Sequence, residues 1–585
     1  MAEKARIKPL FIKYFKSQSR NWGLGFAATG ISSGFAVISP LILRRAIDDL
    51  QGGTTPSNLL VNALLIVGVI GISGIFRFFM RQTIIVASRK IEYEMRSDLF
   101  AHLETLDRSF YEKTPTGDIM SRATNDLEAV REMYGPAMMH SASTLFTITL
   151  AFALMYYVDP VLTGYSLIPL PLLTATVILL GRQVYKRYAI IQEHYGKLSA
   201  YVQENLSGIR VVSSFVQEQN QIEGFEVLNR QYIRKNMDMV KIWGMFFPVL
   251  SMLGGGLMVM VLLVGGKRVI GGEITLGTFV AFMAYLLILV WPMIALGWVI
   301  GLFQRGMASM ARIKRIFDRE PIIRSPEKPA DFAQIAGDIE FKNVSFAYNQ
   351  DSEPVLKDIS FKVKAGQTIA IVGATGCGKS TLISLLMRLY PIPDGHIFID
   401  NIDVNKIALK TLRANIGCVP QDSFLFSESI SNNIIFGASN DKSDGNVQRA
   451  ATVADLVKDI DAFPAKMETI IGEKGITLSG GQKQRTSIAR AIIGKPPILI
   501  LDDAFSSVDT HTEEQILRNL QDIMGKSTVF LISHRISTIK NADFIIVFDD
   551  GRLVEMGDHY TLLSKGGVYA GIHNRQLLVE ELETF

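Results

Sequence analysis

At 585 residues the chain is too long for one hydrophobic core and long enough for two or three domains. Hydrophobic residues make up 48% and charged residues 20%, with a mean hydropathy of +0.24; neither a uniformly soluble protein nor a pure membrane bundle looks like this. The net charge of +4 is small for the length and argues against nucleic acid as a partner.

The apolar residues are segregated along the chain. Residues 1–305 hold long uncharged runs, and residues 306–585 read as an ordinary α/β protein. Cys377 and Cys418 are the only cysteines, too few for a disulfide framework and suited to a reducing compartment. Lys4, Arg6, Lys8, Lys13, Lys16 and Arg20 precede the first apolar run. That run, Asn21–Leu43, is of full spanning length and ends at Arg44, so it predicts a retained helix rather than a cleaved signal.

Crossing the hydrocarbon layer as a helix takes about 20 apolar residues, because unpaired backbone groups are not tolerated there. Uncharged stretches at 21–43, 51–76, 133–158, 160–181, 242–266 and 274–304 meet that length. They predict six spanning helices, at about 21–43, 56–80, 135–158, 160–181, 242–266 and 276–304. The connections after the first, third and fifth are short and nearly neutral: Arg44 and Arg45 against Asp48 and Asp49, then Asp159, then Lys267 and Arg268 with Glu273. Residues 77–132 and 182–241 are long and basic, which places them and both termini on the inner side.

Within these inner connections Ile91–Leu106 and Leu198–Phe225 look helical, so the spanning helices are expected to continue well beyond the bilayer. Reversals are expected at Thr116-Gly117-Asp118 and at Leu206-Ser207-Gly208-Ile209, where glycine permits a tight turn. Such turns are either levers that meet a cytosolic domain or ordinary helix hairpins. Pro321, Pro326 and Pro329 mark a linker. The expected partition is a transmembrane domain over 1–320, a linker over 321–337 and a nucleotide-binding cassette over 338–585.

Gly373-Ala374-Thr375-Gly376-Cys377-Gly378-Lys379-Ser380-Thr381 is a phosphate loop (Walker A), set between the apolar strand Thr368–Val372 and a helix expected over Ser380–Leu389. Its glycines let backbone N–H groups wrap phosphates, and the helix N-terminus adds positive potential. Lys379 is expected to reach the outer phosphates and Ser380 to offer a hydroxyl to Mg²⁺. Cys377, among those amides, is expected to react with a thiol reagent and to be protected by ATP. Further on, Ile498–Leu501 reads as a buried parallel strand ending in Asp502 and Asp503, with Asp502 placed to hold Mg²⁺ through water.

Between these, Leu478-Ser479-Gly480-Gly481-Gln482 opens a basic helix containing Lys483, Gln484, Arg485 and Arg490. Taken alone, Ser-Gly-Gly is a helix cap. In this order and spacing it resembles the signature sequence of ATP-binding cassette proteins, and the resemblance extends over nearly the whole chain. It is nearest to exporters that fuse six spanning helices to one cassette, the multidrug-efflux half-transporters. The fold implied is multidomain: an all-α six-helix transmembrane domain followed by an α/β P-loop NTPase cassette with a helical subdomain.

The resemblance also implies roles. Tyr348 is similar to the aromatic that stacks on adenine. Gln421 resembles the glutamine that touches Mg²⁺ and senses the membrane domain, and His534 the switch histidine at the γ-phosphate. Gly472-Glu473-Lys474-Gly475 resembles the segment that contacts the inner turns, and Ser506-Ser507-Val508-Asp509 the loop that communicates between paired cassettes. Thr116–Arg122 and Gln203–Phe215 are similar to coupling segments of the same branch. ATP is expected to be sandwiched between the phosphate loop of one cassette and the signature of another. Closure of the pair would then swap an inward-facing cavity to an outward-facing one.

One position departs from the family pattern. After the metal aspartate, active cassettes carry glutamate to position or deprotonate the attacking water, whereas this chain has Asp503. A carboxylate one methylene shorter implies slow hydrolysis with ATP binding intact. A weak base beside a good signature is what the degenerate-site subunit of a heterodimer would show, the partner half-transporter supplying the glutamate; a homodimer that tolerates Asp is the alternative. The other expected partners are the lipid bilayer of a prokaryotic plasma membrane and a hydrophobic small-molecule or lipid substrate. Phe146, Phe246, Phe247, Phe279, Phe282, Tyr285, Trp291 and Trp298 suit such a substrate, lipid or one another. Arg77 and Arg81 either meet an anionic headgroup or snorkel.

Overall fold

The computed structural model describes residues 2–330, 335–349, 352–438, 443–472 and 478–583, in two compact units. One comprises residues 1–105 and 114–319; the other comprises 106–113 and 320–585. The break at Arg319/Glu320 falls beside the expected linker.

The membrane unit is a set of long helices: α1 (Ala2–Ser17), α2 (Ser19–Gln51), α3 (Pro56–Leu103), α4 (Thr116–Val158), α5 (Pro160–Leu167), α6 (Pro169–Ser207), α7 (Ile209–Ser214), α8 (Glu218–Ile270) and α9 (Leu276–Phe317). Five of them, α2, α3, α4, α8 and α9, are long and apolar enough to cross a membrane. The sixth expected span, 160–181, is divided between α5 and α6 at Ile168 and is not among those five. Pro169 follows the break and Pro171 lies two residues on, each removing a backbone donor.

As expected, the helices overrun the bilayer. The 48 residues of α3 reach about 72 Å, against a hydrocarbon layer of about 30 Å.

Between membrane helices water supplies no driving force, so contact depends on small residues and polar pairs. Ser32 of α2 and Ser73 of α3 exchange hydroxyl-to-carbonyl hydrogen bonds of 2.9 Å. Gly25 leaves Ile84 room that a Cβ would fill, and Gly306 does the same for Met133. Phe282 and Tyr285, two candidate substrate contacts, are fully buried and fill the helix bundle, while Phe247, Trp291 and Trp298 are exposed.

The turns on the short-loop side are tied down by charge. Asp159 caps α5 at Leu162 and receives Arg268 at 2.7 Å, and Arg268 also meets Glu273 at 2.8 Å. Asp48 accepts from the Thr275 hydroxyl and the Gly277 amide.

Two turn expectations are corrected. Gly117 does not reverse the chain; it lies in the first turn of α4, after Pro115, and the reversal comes earlier. In the second inner connection Gly208 interrupts the helix with φ of −96°, but the left-handed residue is Val216, at φ 52°.

The second unit is built on a six-stranded sheet in the order β10-β9-β3-β8-β7-β6, parallel except for the edge strand β10. Its strands are β3 (Thr368–Gly373), β6 (Ile416–Val419), β7 (Ile498–Asp502), β8 (Thr528–Ile532), β9 (Phe544–Asp549) and β10 (Arg552–Gly557). A four-stranded antiparallel sheet, β2-β1-β4-β5, uses β1 (Ile339–Phe346), β2 (Leu356–Val363), β4 (Ile397–Ile399) and β5 (Ile402–Asp403). Strand alternation feeds two cores. Ile369, Ile371, Ile498 and Ile500 enter one, and Ala370, Val372, Leu499 and Leu501 enter the other.

The described part of the linker is held to this unit. Arg388 donates to the Arg324 carbonyl at 3.0 Å, and the Leu409 amide donates to the Ser325 hydroxyl at 3.1 Å.

Candidate nucleotide site

Parallel strands end together, and the loops beyond their C-terminal ends make a crevice. Strand β3 leads into the phosphate loop and then α10 (Lys379–Leu386), shorter than the expected Ser380–Leu389 because Arg388 turns left-handed at φ 49°. The loop needs its glycines: Gly376 and Gly378 sit at φ of 85° and 100°, and a Cβ on Gly378 would meet Leu356 at 2.7 Å.

A cleft of about 360 Å³ forms there, lined by Tyr348, Thr375, Gly376, Gly378, Lys379, Ser380, Thr381, Gln421, Asp502, Asp503 and His534. Sequence reading had proposed every one of these. Val355 and Ile532 also line it and carried no signal in the sequence, being ordinary aliphatic residues.

Lys379 is buried, and its Nζ donates to the carbonyls of Gly373 and Ala374 at 2.9 Å each, close to Cys377 Sγ at 3.8 Å. Burial pushes the Asp502 carboxyl above its usual range, with Asp503 adding to the effect and a hydrogen bond from Ser380 opposing it. Asp503 has φ of 51°, a region aspartate tolerates better than most residues, and its amide donates to the Ile532 carbonyl at 2.9 Å. Tyr348 bonds Thr381 hydroxyl to hydroxyl at 2.8 Å.

Leu478–Gln482 is not among the cleft-lining residues. Ser479 caps α11 (Gly480–Ile492) in a reciprocal box with Gln482. Gly480 and Gly481 lie so close to Ser507 that a Cβ on either would approach it to 3.1 and 3.0 Å. Gln484 clasps the same loop, donating to the Ser506 hydroxyl at 2.7 Å and accepting from the Ser507 amide at 2.8 Å. Leu478–Gln482 and Ser506–Asp509 are thus joined by hydrogen bonds and close glycine packing. Of the segment Gly472–Gly475, Glu473, Lys474 and Gly475 lie outside the described residues.

One connection was not legible in sequence. Tyr390 packs edge-on to Tyr348 with ring centres 5.1 Å apart, and its hydroxyl donates to Glu112. Arg108 covers the Tyr390 ring at 5.6 Å and pairs with Glu112 at 2.9 Å. Residues 106–113, from the first inner connection, are therefore part of the cassette unit, one turn before the expected Thr116–Arg122. Burial and the Glu112 contact raise the Tyr390 phenol above its usual range. Glu112 is 278 residues away in sequence, and nothing local to Tyr390 announces it.

A phosphate-loop cleft on an α/β cassette, in one chain with apolar helices of spanning length, defines an ATP-driven membrane transporter. Residues 22–293 match the ABC transporter transmembrane region, and residues 356–506 match the ABC transporter cassette family. The chain is 38% identical over 541 residues, 92% of each protein, to the probable multidrug resistance ABC transporter ATP-binding/permease protein YheI of Bacillus subtilis. It is 33% identical over 537 residues to the ATP-dependent lipid A-core flippase of Syntrophus aciditrophicus, covering 92% of this chain and 88% of that one. Among solved structures it resembles a bacterial Atm1-family ABC exporter with ATP bound, with a TM-score of 0.80 and 28% identity over 95% of this chain and 98% of that one.

The chain belongs to the ABC transporter family. It is an integral membrane ABC exporter that binds ATP and, as such exporters do, couples ATP hydrolysis to transport.

Proposed function

We propose that this chain is the weakly hydrolysing half of a heterodimeric exporter of hydrophobic or amphipathic compounds. The observation that carries the reading is Asp503, at the end of the strand that presents Asp502 to the phosphate loop. Its carboxylate falls one methylene short of a glutamate's, and a displacement of about 1 Å at a reacting water costs about a hundredfold in rate. ATP binding needs only the intact parts: the phosphate loop, Tyr348 against adenine, and Lys379 moving from its carbonyl partners to the outer phosphates.

Mg²⁺ fits the donor set, because the Ser380 hydroxyl, the Gln421 amide and the Asp502 carboxylate are hard oxygen donors. The Asp502 carboxyl, raised by burial, is the group a cation would draw back to its ionised form. Bound there, the ion would neutralise phosphate charge. His534 would read the γ-phosphate.

The signature lies outside this chain's own cleft, which supports a role at a partner's phosphate loop. In this reading Leu478–Gln482 completes the competent site, whose glutamate belongs to a second half-transporter. The degenerate site holds ATP and keeps the cassettes together while alternating access proceeds. Basic inner connections favour cytoplasmic termini in a prokaryotic plasma membrane.

ATPase of the purified chain alone, set against the co-expressed pair, tests this: slow turnover alone and fast turnover in the pair are expected. Robust turnover by this chain alone would overturn the assignment and favour a homodimer. The flippase relative makes lipid the second candidate substrate; transport of labelled phospholipid against hydrophobic dye separates the two.

A further inference from the structure

His534 stands on a loop that is pinned on both sides. Its own side chain is exposed at the nucleotide cleft, while Ser533 before it and Ile536 after it are buried. The Arg535 amide donates to the Ser533 hydroxyl at 3.0 Å. The Arg535 side chain donates to the Val508 carbonyl at 3.0 Å and to Glu513, a buried carboxylate in the first turn of α12 (Thr510–Met524). The Thr538 hydroxyl donates to the same carboxylate. This first anchor reaches the Ser506–Asp509 loop.

The second anchor comes from much further along the chain. Ile536 opens α13 (Ile536–Ile539), and the first amides of a helix have no partner within it. The Ile536 amide donates instead to the side-chain oxygen of Gln576 at 2.9 Å. Gln576 lies on α14 (Val568–Glu583), beyond the residues that match the cassette family.

The helix that carries Gln576 is itself held. Glu555 of β10 accepts from the Val568 and Tyr569 amides at 2.9 and 3.0 Å. Tyr569 is fully buried, with its hydroxyl 2.7 Å from His559 Nδ1. Gln576 falls about two turns beyond Tyr569, on the same face of α14, and Ile572 between them packs against the core. Leu577 and Leu578 are exposed. What glutamine adds to that inward face is an acceptor for the Ile536 amide, which an aliphatic residue would leave unpaired.

We propose that Gln576 is a positioning residue for His534, so that α14 belongs to the apparatus that tells a bound triphosphate from a diphosphate. The proposal rests on the reading of His534 as the γ-phosphate sensor and adds the element that aims it. A hydrogen bond to a phosphate oxygen is strong only over a narrow range of distance and angle. With Arg535 as its only tie the loop pivots; the bond at Ile536 fixes the backbone on the far side of the imidazole. Contacts to the inner phosphates and the base do not pass through this loop, so ADP should be indifferent to Gln576.

The test is equilibrium binding of Mg·ATPγS and of Mg·ADP to the full chain in nanodiscs, read as the ratio of the two affinities. Wild type is expected to favour Mg·ATPγS, and His534→Ala to lose about tenfold of that preference. Gln576→Leu, which removes the acceptor, should lose about fivefold, with Mg·ADP affinity held within about twofold. Gln576→Glu keeps an acceptor oxygen and should restore the wild-type ratio. Leu577→Gln, on the exposed side of the same helix, should leave both affinities unchanged.

An unchanged ratio in Gln576→Leu beside a reduced one in His534→Ala would overturn the proposal and leave the sensor reading intact. An unchanged ratio in His534→Ala would sink the sensor reading and this inference with it. Equal weakening of both nucleotides in Gln576→Leu would make Gln576 a stability residue and overturn the proposal as well.

Discussion

The two halves of this molecule put the same residue types to opposite uses. In the cassette, β3, β7 and β8 bury nearly every side chain, and alternate residues enter two cores on opposite faces of one sheet. In the membrane half, α3 leaves Leu60, Leu64, Val67 and Phe78 more than half exposed, and only 11% of its most apolar window is buried. A sheet needs neighbours for its backbone hydrogen bonds, whereas a helix satisfies them internally and can show apolar residues to hydrocarbon. Function differs in the same way. The cassette site is fixed where strand ends converge, while the membrane half places its polar groups singly, at no fixed sequence spacing.

The largest effect should come from the cassette. Lys379→Ala removes the buried cation proposed to reach the phosphates, and Mg·ATP binding should weaken about 10- to 100-fold by equilibrium binding. If binding survives, strand-end convergence is not what holds nucleotide.

The membrane counterpart is Arg268→Ala, which leaves Asp159 buried without its partner at 2.7 Å. A loss of about 2 kcal/mol, read as a lowered Tm of the detergent-solubilised chain, is expected. An unchanged Tm would mean that the short-loop turns are held by packing rather than charge.

Tyr390→Phe bears on the join between the nucleotide cleft and residues 106–113. It deletes the hydroxyl bonded to Glu112 but keeps the ring against Tyr348. Nucleotide affinity should stay within a few-fold, while substrate stimulation of ATPase by the co-expressed pair should fall several-fold. Equal loss of basal and stimulated rates would make Tyr390 a stability residue only.

The smallest expected effect is at the cysteines. Burial, with Asp502 adding to it, pushes the Cys418 thiol up to about 12, so it stays protonated and unreactive at neutral pH. Cys377, buried beside Lys379, should react with maleimide only as the phosphate loop opens, and ATP should protect it. Modification of both would show that the sheet beneath the cleft opens readily.

These expectations also mark what was legible in the sequence. Phosphate geometry demands glycines, lysine and hydroxyl at fixed spacing, so Gly373–Thr381 could be read directly. Asp502 followed from its position at a strand end. The length of the uncharged runs found the long helices, but not the division of 160–181 between two of them, although Pro169 and Pro171 in that run mark where a helix can break.

Gly117 and Gly208 were expected to supply the reversals, since glycine is the residue that takes left-handed angles without cost. That conformation falls instead on Val216, where local bonds from Val216 N to Ser213 O and from Gln217 N to Val212 O close the end of α7. The pairing of Tyr390 with Glu112, and the clasp of Gln484 on Ser506 and Ser507, depend on partners far away in sequence.

The most direct test of the central claim follows the terminal phosphate. The co-expressed pair is loaded with a photoreactive azido-ATP labelled on either the α- or the γ-phosphate, given time to turn over, and cross-linked. With Asp503 as a poor base, this subunit should keep its γ-label nearly as long as its α-label, while the partner loses the γ-label quickly. Loss of the γ-label from this subunit at the partner's rate would contradict the account.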